Sequence, residues 1–401
     1  MNNFTFYSPT EFVFGRDTEA QVGTLCKQYG AQRVLVVYGG QSAKKSGLLD
    51  RVVNALKAEG LYTVMLGGVQ PNPTDPMVYE GITLARNEQV DFVLAVGGGS
   101  VIDTAKAICV GVPYDGDFWD FYIGKARATE ALPVATVLTI PAAGSEGSGN
   151  AVITREATKQ KLGIRYPMLL RPKFSIMNPV LTMTLPAWQT ASGIADMMAH
   201  IFERYLSNTE GVSTGDRLAE GALLAIMENA ARVMEHPDDY DARANIMWCG
   251  TIAHNDTCSI GREEDWSSHA MEHELSAEYN VTHGAGLAVV FPAYMEYMAK
   301  VHPHKIAQLA ERVLIPLLPP SICTTSTFKG DREGLALEGV KCLRTFFHDT
   351  LHLPVTMSEL GIPNPDIPLL VKRLHANKGQ TFGCYYPLTP EITTEIYKLT
   401  L

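Results

Sequence analysis

Cysteine pairs, surplus positive charge and long apolar runs are all missing from this chain, and each absence removes a class of protein. The seven cysteines, Cys26, Cys109, Cys249, Cys258, Cys323, Cys342 and Cys384, form an odd set with no Cys-x-x-Cys pair. That argues against a zinc finger or a disulfide framework and fits reduced thiols in a cytosolic protein. Lys and Arg number 33 against 43 Asp and Glu, for a net charge of −10, so the basic surface that displaces counterions from nucleic acid is not expected. No apolar stretch reaches bilayer-spanning length. The start, Met1 to Tyr7, has neither the basic nor the apolar region of a secretory leader, and a cytoplasmic protein without membrane attachment is the expectation. What remains, 46% hydrophobic and 19% charged residues over 401 positions, describes an ordinary globular protein large enough for two domains.

The first half alternates short β-rich runs with helical stretches. Arg33 to Tyr38 reads as a buried strand ending in Gly39-Gly40, and Ala43 to Glu59 carries helical spacing through Leu48, Leu49, Val52, Val53 and Leu56. Tyr62 to Leu66, Asp91 to Val96 and Pro133 to Ile140 repeat the strand pattern. Nearly continuous apolar strands between helices mark an α/β domain built on a parallel sheet covered on both faces. From about Leu185 strand-like runs vanish and amphipathic segments such as Leu218 to Val233 and Ala242 to His254 take over, predicting an all-α second half. Pro179 and Pro186 punctuate the change, giving expected domains of 1–182 and 183–401. The Pro- and Thr/Ser-rich patch Leu317 to Thr327 reads as a surface loop between helices.

Glycines gather where the predicted strands end. Gly97-Gly98-Gly99-Ser100 closes one strand and opens the helical run Val101 to Val110, a place where backbone amides and the helix dipole favour a phosphate. The run is not the G-x-G-x-x-G fingerprint, and a tight turn with no ligand would use the same residues. Gly39-Gly40 and Pro71-Asn72-Pro73-Thr74 follow two further strands, and Ala142 to Asn150 a third. Consecutive strand ends with loop chemistry are where open α/β sheets bind ligands.

A second constellation lies in the helical half. Asp196 and His200 stand at i and i+4, on one helical face, and His269, His273 and His283 supply further imidazoles. Two of these would complete a tetrahedral site suited to Zn²⁺ or Fe²⁺. His254 sits among apolar helix residues, and most of the other histidines among the eleven read as structural or solvated. His283-Gly284 is placed at the end of a helical stretch. His269-Ala270-Met271-Glu272-His273 also matches the inverted zinc-protease pattern, with Glu272 as general base. A purely structural ion is the non-enzymatic alternative, although structural zinc usually favours cysteine.

Together, Gly97 to Lys106, Pro71 to Thr74, Asp196 to His200 and the series His269, His273, His283 resemble the iron-containing (group III) alcohol dehydrogenase family. Tyr38-Gly39-Gly40 and Trp266-Ser267-Ser268-His269 are similar to its butanol dehydrogenase and aldehyde reductase branch. The resemblance implies a Rossmann-like dinucleotide-binding α/β domain, an all-α C-terminal domain of the dehydroquinate synthase-like kind, and a cleft between them holding metal and nicotinamide. It implies Asp196, His200, His269 and His283 as ligands of one divalent ion, with His273 as a catalytic proton relay beside it. Cofactor contacts are implied for Gly39, Gly40, Ser42, Asn72, Gly97, Gly98, Gly99, Ser100, Asp103, Thr139, Ser148, Lys161 and Leu181. Where NAD-selective members place an acid after the first strand this chain has Gly39, followed by Ser42, Lys44 and Lys45, so NADP(H) is expected, with NAD(H) use left open. The expected reaction is hydride transfer between that cofactor and a short-chain aldehyde or primary alcohol, in a homodimer. Gln41, where the branch has a third glycine, and a long Leu314 to Asp331 segment depart from the pattern.

Overall fold

Strands whose side chains are buried on both faces can only sit inside a sheet covered by helices, and the centre of the N-terminal unit is built that way. A computed structural model describes residues 1–316 and 328–401; the expected Leu317 to Thr327 loop lies outside them. Among the described residues one compact unit spans Tyr7–Thr184 and the other joins Met1–Phe6 to Leu185–Leu401.

The first unit holds a six-stranded sheet in the order β1-β8-β5-β4-β2-β3. Its strands are β1 (Glu11–Phe14), β2 (Arg33–Tyr38), β3 (Tyr62–Gly67), β4 (Phe92–Gly97), β5 (Val134–Leu138) and β8 (Phe174–Met177). Every pairing is parallel. All of β4 and β5 is buried, as is β2 from Val34 onward. From β2 the chain steps outward to β3 and then returns to the other side of β2 to form β4, so β2 and β4 flank the switch point, with Tyr38 opposite Val96. Off this sheet, β6 (Asn150–Arg155) and β7 (Gln160–Arg165) form an antiparallel hairpin.

The expected helix from Ala43 to Glu59 is two, Ser42–Lys45 and Leu48–Ala58. Gly47 separates them in a left-handed conformation, φ 70°, and the apolar spacing belongs only to the second. The strands β1 and β8 escaped the sequence reading because each is four residues long.

The second unit is helical among its described residues, apart from one isolated bridge between Phe382 and Leu388. Its central helix, Ala187–Tyr205, is buried at every position from Thr190 onward. A helix buried all round must satisfy its polar side chains inside the protein, which gives Asp196, His200, Glu203 and Arg204 a special standing. The helices Ser213–Glu235, Tyr240–His254, Ser267–Tyr279 and His283–Val301 follow. Met1–Phe6 groups with this unit, the Asn2 amide donating to the Gly261 carbonyl at 2.8 Å. No helix of the described residues is long and apolar enough to cross a membrane.

Candidate metal centre and nucleotide edge

Three helices bring the candidate ligands together. Asp196 and His200 share one face of Ala187–Tyr205, His269 lies in the first turn of Ser267–Tyr279, and His283 is the first residue of His283–Val301. His283 therefore opens a helix, where the sequence reading had it close one. The preceding helix stops at Asn280, whose left-handed φ of 52° turns the chain, and Thr282 in extended conformation starts the next.

Asp196 Oδ1 lies 3.4 Å from His200 Nε2 and 3.9 Å from His283 Nε2. One ligand atom each from Asp196, His200 and His269 falls within 4.8 Å of the others. The His200 and His269 rings are 4.6 Å apart between centroids, and those of His269 and His283 5.5 Å. Donor atoms around a tetrahedral ion at 2.0–2.1 Å would be about 3.4 Å apart. The four side chains are thus gathered at close to the spacing an ion requires.

Glycine makes this gathering possible. A Cβ on Gly284 would come 2.7 Å from the Ser192 carbonyl carbon and closer still to its oxygen, so only glycine lets the start of His283–Val301 lie on the Asp196 helix. Gly286 likewise leaves room for the Glu272 carboxylate, whose Oε1 would be 2.7 Å from an added Cβ.

The chemistry of the donors also suits a cation. Burial holds His200 well below the usual imidazole range, with the neighbouring His254 and His269 adding to the effect, so it is kept in the neutral form that ligates. His269 Nδ1 contacts Glu203 Oε1 at 2.8 Å, and His283 Nδ1 contacts Glu272 Oε2. Where these carboxylates are ionised they only accept, and both rings then donate from Nδ1 and turn an unprotonated Nε2 to the cluster. Desolvation pushes the Glu203 carboxyl up, the nearby Asp265 charge adds to this, and the His269 N–H bond acts in the opposite direction. These residues fit a divalent ion held by one carboxylate and three imidazoles.

His273 stands beside the cluster, half-buried, its ring 5.5 Å from His283 and 6.5 Å from His269. It groups with Glu272 and His283, apart from Asp196, His200 and His269. Glu272 has one oxygen on the Ser276 hydroxyl and the other on His283 Nδ1. A general base for the inverted protease pattern is therefore already committed to orienting an imidazole.

Four site neighbours were not singled out as site residues in the sequence reading. His254, expected as a helix-core residue, stacks on His200 at 4.3 Å. Trp266 has φ 63° and sets its indole edge-on to His200 and His269, 5.4 and 5.0 Å away; a bulky residue in that conformation is held there by its surroundings. The other two are Glu203 and, in its orienting role, Glu272. The available signal for Glu203 is a carboxylate one turn after His200 on the same helix.

In the α/β unit several of the expected cofactor residues follow the carboxyl ends of the sheet's strands. Gly39-Gly40 leaves β2, Gly97 to Ser100 leaves β4, Thr139 leaves β5 and Leu181 follows β8. The Thr139 amide donates to the Gly97 carbonyl at 3.1 Å, drawing two of these ends together. At Gly98 a Cβ would stand 2.9 Å from Ile140 Cβ, so glycine is what lets the helix Gly99–Gly111 begin this close to its neighbour. Ser42 opens the short helix after β2, where Lys44 Nζ lies 5.2 Å from the Tyr38 ring centroid. Lys161 Nζ donates to Asn72 Oδ1 at 3.1 Å, and the Thr154 amide to the Pro73 carbonyl at 2.8 Å, tying the hairpin to the Asn72 loop.

Asp103 and Ser148 are engaged in the loop's own framework. Asp103 accepts from the Ser145 hydroxyl at 2.7 Å and the Val152 amide at 3.0 Å. Buried Lys106 donates to the carbonyls of Ser145, Ser148 and Asn150 at 2.7, 2.8 and 3.0 Å. Burial lowers its ammonium to about 8 against the pull of Asp103. This buried cation fastens the loop before β6 to the helix that the glycine run opens.

A parallel sheet with glycine-rich strand ends at its switch point, and a helical unit with an Asp/His₃ cluster, are suited to holding a nucleotide and a metal ion. Residues 9–179 match the family model described as iron-containing alcohol dehydrogenase, and residues 190–401 match its Fe-containing C-terminal counterpart. The chain belongs to the iron-containing alcohol dehydrogenase family. It is 40% identical to NADH-dependent butanol dehydrogenase A of Clostridium acetobutylicum, covering 99% of each chain. It is 34% identical to the NADPH-dependent aldehyde reductase YqhD of Escherichia coli, again over 99% of each. The crystal structure of NADH-dependent butanol dehydrogenase A from Thermotoga maritima superimposes with a TM-score of 0.93 at 41% identity, covering 100% of this chain and 99% of that one. The protein is an alcohol dehydrogenase or aldehyde reductase that works with a nicotinamide dinucleotide and an iron-type metal.

Proposed function

We propose that this enzyme interconverts short-chain aldehydes such as butanal and their primary alcohols, using NADP(H) and one Fe²⁺ or Zn²⁺ held by Asp196, His200, His269 and His283. The observation that carries the reading is the convergence of those four side chains from three helices. When bound, the ion polarises a carbonyl and the nicotinamide carries the hydride. The protein's residues do the rest. The imidazoles and Asp196 fix where the substrate oxygen sits, and half-buried His273 holds the proton that neutralises it. Substrate range follows the names of the relatives, butanol dehydrogenases and an aldehyde reductase. We further propose a cytoplasmic homodimer in which Tyr7–Thr184 is the nucleotide-binding domain.

The cofactor residues expected at the α/β edge serve the nucleotide in this proposal, with Asp103 and Ser148 acting through the loop they hold. The relatives divide between NADH and NADPH, so the preference rests on charge. Gly39 puts no carboxylate after β2, and an added Cβ there would have only ordinary contacts, 3.5 Å from the Val69 carbonyl and 3.6 Å from Val101. Gly39→Asp is therefore expected to fold normally and to turn the preference toward NADH. A carboxylate facing a 2′-phosphate costs about 2 kcal/mol, roughly thirty-fold in kcat/KM for NADPH. Steady-state kinetics with both cofactors measures the shift; an unchanged ratio would place the adenosine ribose elsewhere.

The function itself is tested by NADPH and NADH oxidation against two- to six-carbon aldehydes, with Zn²⁺, Fe²⁺ or chelator. Metal-dependent oxidation with butanal is expected. Failure with every aldehyde and both cofactors, from metal-loaded protein, would reject the proposal.

A further inference from the structure

Two buried carboxylates outside the ligand set each grip one ligand imidazole from behind. Glu203 is fully buried, and its Oε1 receives both the backbone amide of His269 at 2.9 Å and His269 Nδ1 at 2.8 Å. One oxygen thus fixes the main chain and the ring of the same residue. Glu272, also fully buried, contacts His283 Nδ1 through Oε2 and accepts the Ser276 hydroxyl through Oε1, in the space that Gly286 leaves. The arrangement steps from helix to helix. Glu203, on the helix that carries Asp196 and His200, reaches the helix of His269; Glu272, on that second helix, reaches His283 on the third.

Burying a carboxylate beside a neutral imidazole is costly unless a cation is near. With Asp196, three buried carboxylates surround this cluster. We propose that Glu203 and Glu272 are positioning residues, which hold the His269 and His283 rings through Nδ1 in the tautomer whose Nε2 can ligate and so set the affinity of the site for its dication. The inference rests on the metal-site reading above and adds to it two determinants that are not ligands. A merely structural role would be to tie three helices together, with or without metal.

The test uses the full chain, metal-free and reloaded with Zn²⁺ or Co²⁺ alone. Zn²⁺ affinity is measured by competition with a chelator, Co²⁺ geometry by its visible absorption, and thermal midpoints before and after loading. Glu203→Gln and Glu272→Gln keep an acceptor but lose the charge, and each is expected to bind Zn²⁺ about ten- to a hundred-fold more weakly. The Co²⁺ bands should shift, and the rise in melting temperature on loading should shrink, while the metal-free midpoint stays near that of the wild type. Glu203→Leu should lose more affinity than Glu203→Gln; should it fail to fold, the Gln variants decide. Zn²⁺ affinity within two-fold of wild type in both Gln variants would overturn the proposal, whatever their metal-free stability. Loss in one variant alone would overturn the role of the other residue. A wild-type chain that holds neither ion would instead overturn the metal-site reading itself, and this inference with it.

Discussion

His269→Ala is expected to strip the metal and abolish turnover, while His273→Ala retains the metal and slows the reaction. The two residues are one helical turn apart on Ser267–Tyr279, yet their surroundings differ. His269 is buried, joined to Glu203 through Nδ1, and groups with Asp196 and His200. A bound zinc ion is worth about 10–16 kcal/mol, so each of four ligands accounts for roughly 3 kcal/mol and its loss weakens binding by about a hundred-fold or more. A site weakened that far is emptied by chelator at concentrations that leave the wild type loaded. His273 is half-buried and outside that group. Loss of a positioned proton carrier costs on the order of 10²-fold in kcat, with binding of the ion intact. Metal content by mass spectrometry, read beside kcat for both variants, separates the roles. If His273→Ala also empties the site, the ligand assignment is wrong.

Gly284→Ala is expected to do nearly as much damage with a single methyl group. Its Cβ would be 2.7 Å from the Ser192 carbonyl carbon, and Ser192 belongs to a helix buried on all sides, so neither backbone can retreat into solvent. Overpacking of this kind costs about 1–3 kcal/mol or more. Relief comes by moving the start of His283–Val301 outward, which carries His283 Nε2 away from its 3.9 Å approach to Asp196 Oδ1. Thermal unfolding and Zn²⁺ affinity should fall together. Gly221→Ala is the control: it lies inside the helix Ser213–Glu235 with nothing within 4 Å of an added Cβ, and should stabilise by about 0.5–1 kcal/mol. Gly284→Ala with wild-type metal affinity would show that the helix contact does not set the site.

What could be read from the sequence was what local periodicity encodes. The pair Asp196 and His200 needed only the helical repeat, and the run Gly97 to Ser100 only a strand followed by a helix; both are where the pattern put them. The family resemblance rests on these motifs, and the family models match the chain on both sides of the change to helix. Contacts that cross between helices were not legible. Glu203 meets His269 across 66 positions, and His254 meets His200 by stacking between helices; no repeat in either segment announces them. His283 reads as a helix end in the sequence, which shows its apolar neighbours but not the left-handed Asn280 that divides two helices. Likewise Ala43 to Glu59 looked continuous until Gly47 took a positive φ.

The most direct test of the account removes the ion and returns it. The purified enzyme is stripped with chelator, its fold followed by circular dichroism, and its NADPH-linked reduction of butanal assayed before and after one equivalent of Fe²⁺ or Zn²⁺. The expected result is a folded, inactive protein whose activity returns with a single ion, because the helical unit has its own buried core around Ile194, Ile201, Phe202 and Phe291. Full activity in protein shown to be free of metal would contradict the claim that Asp196, His200, His269 and His283 act through a shared cation.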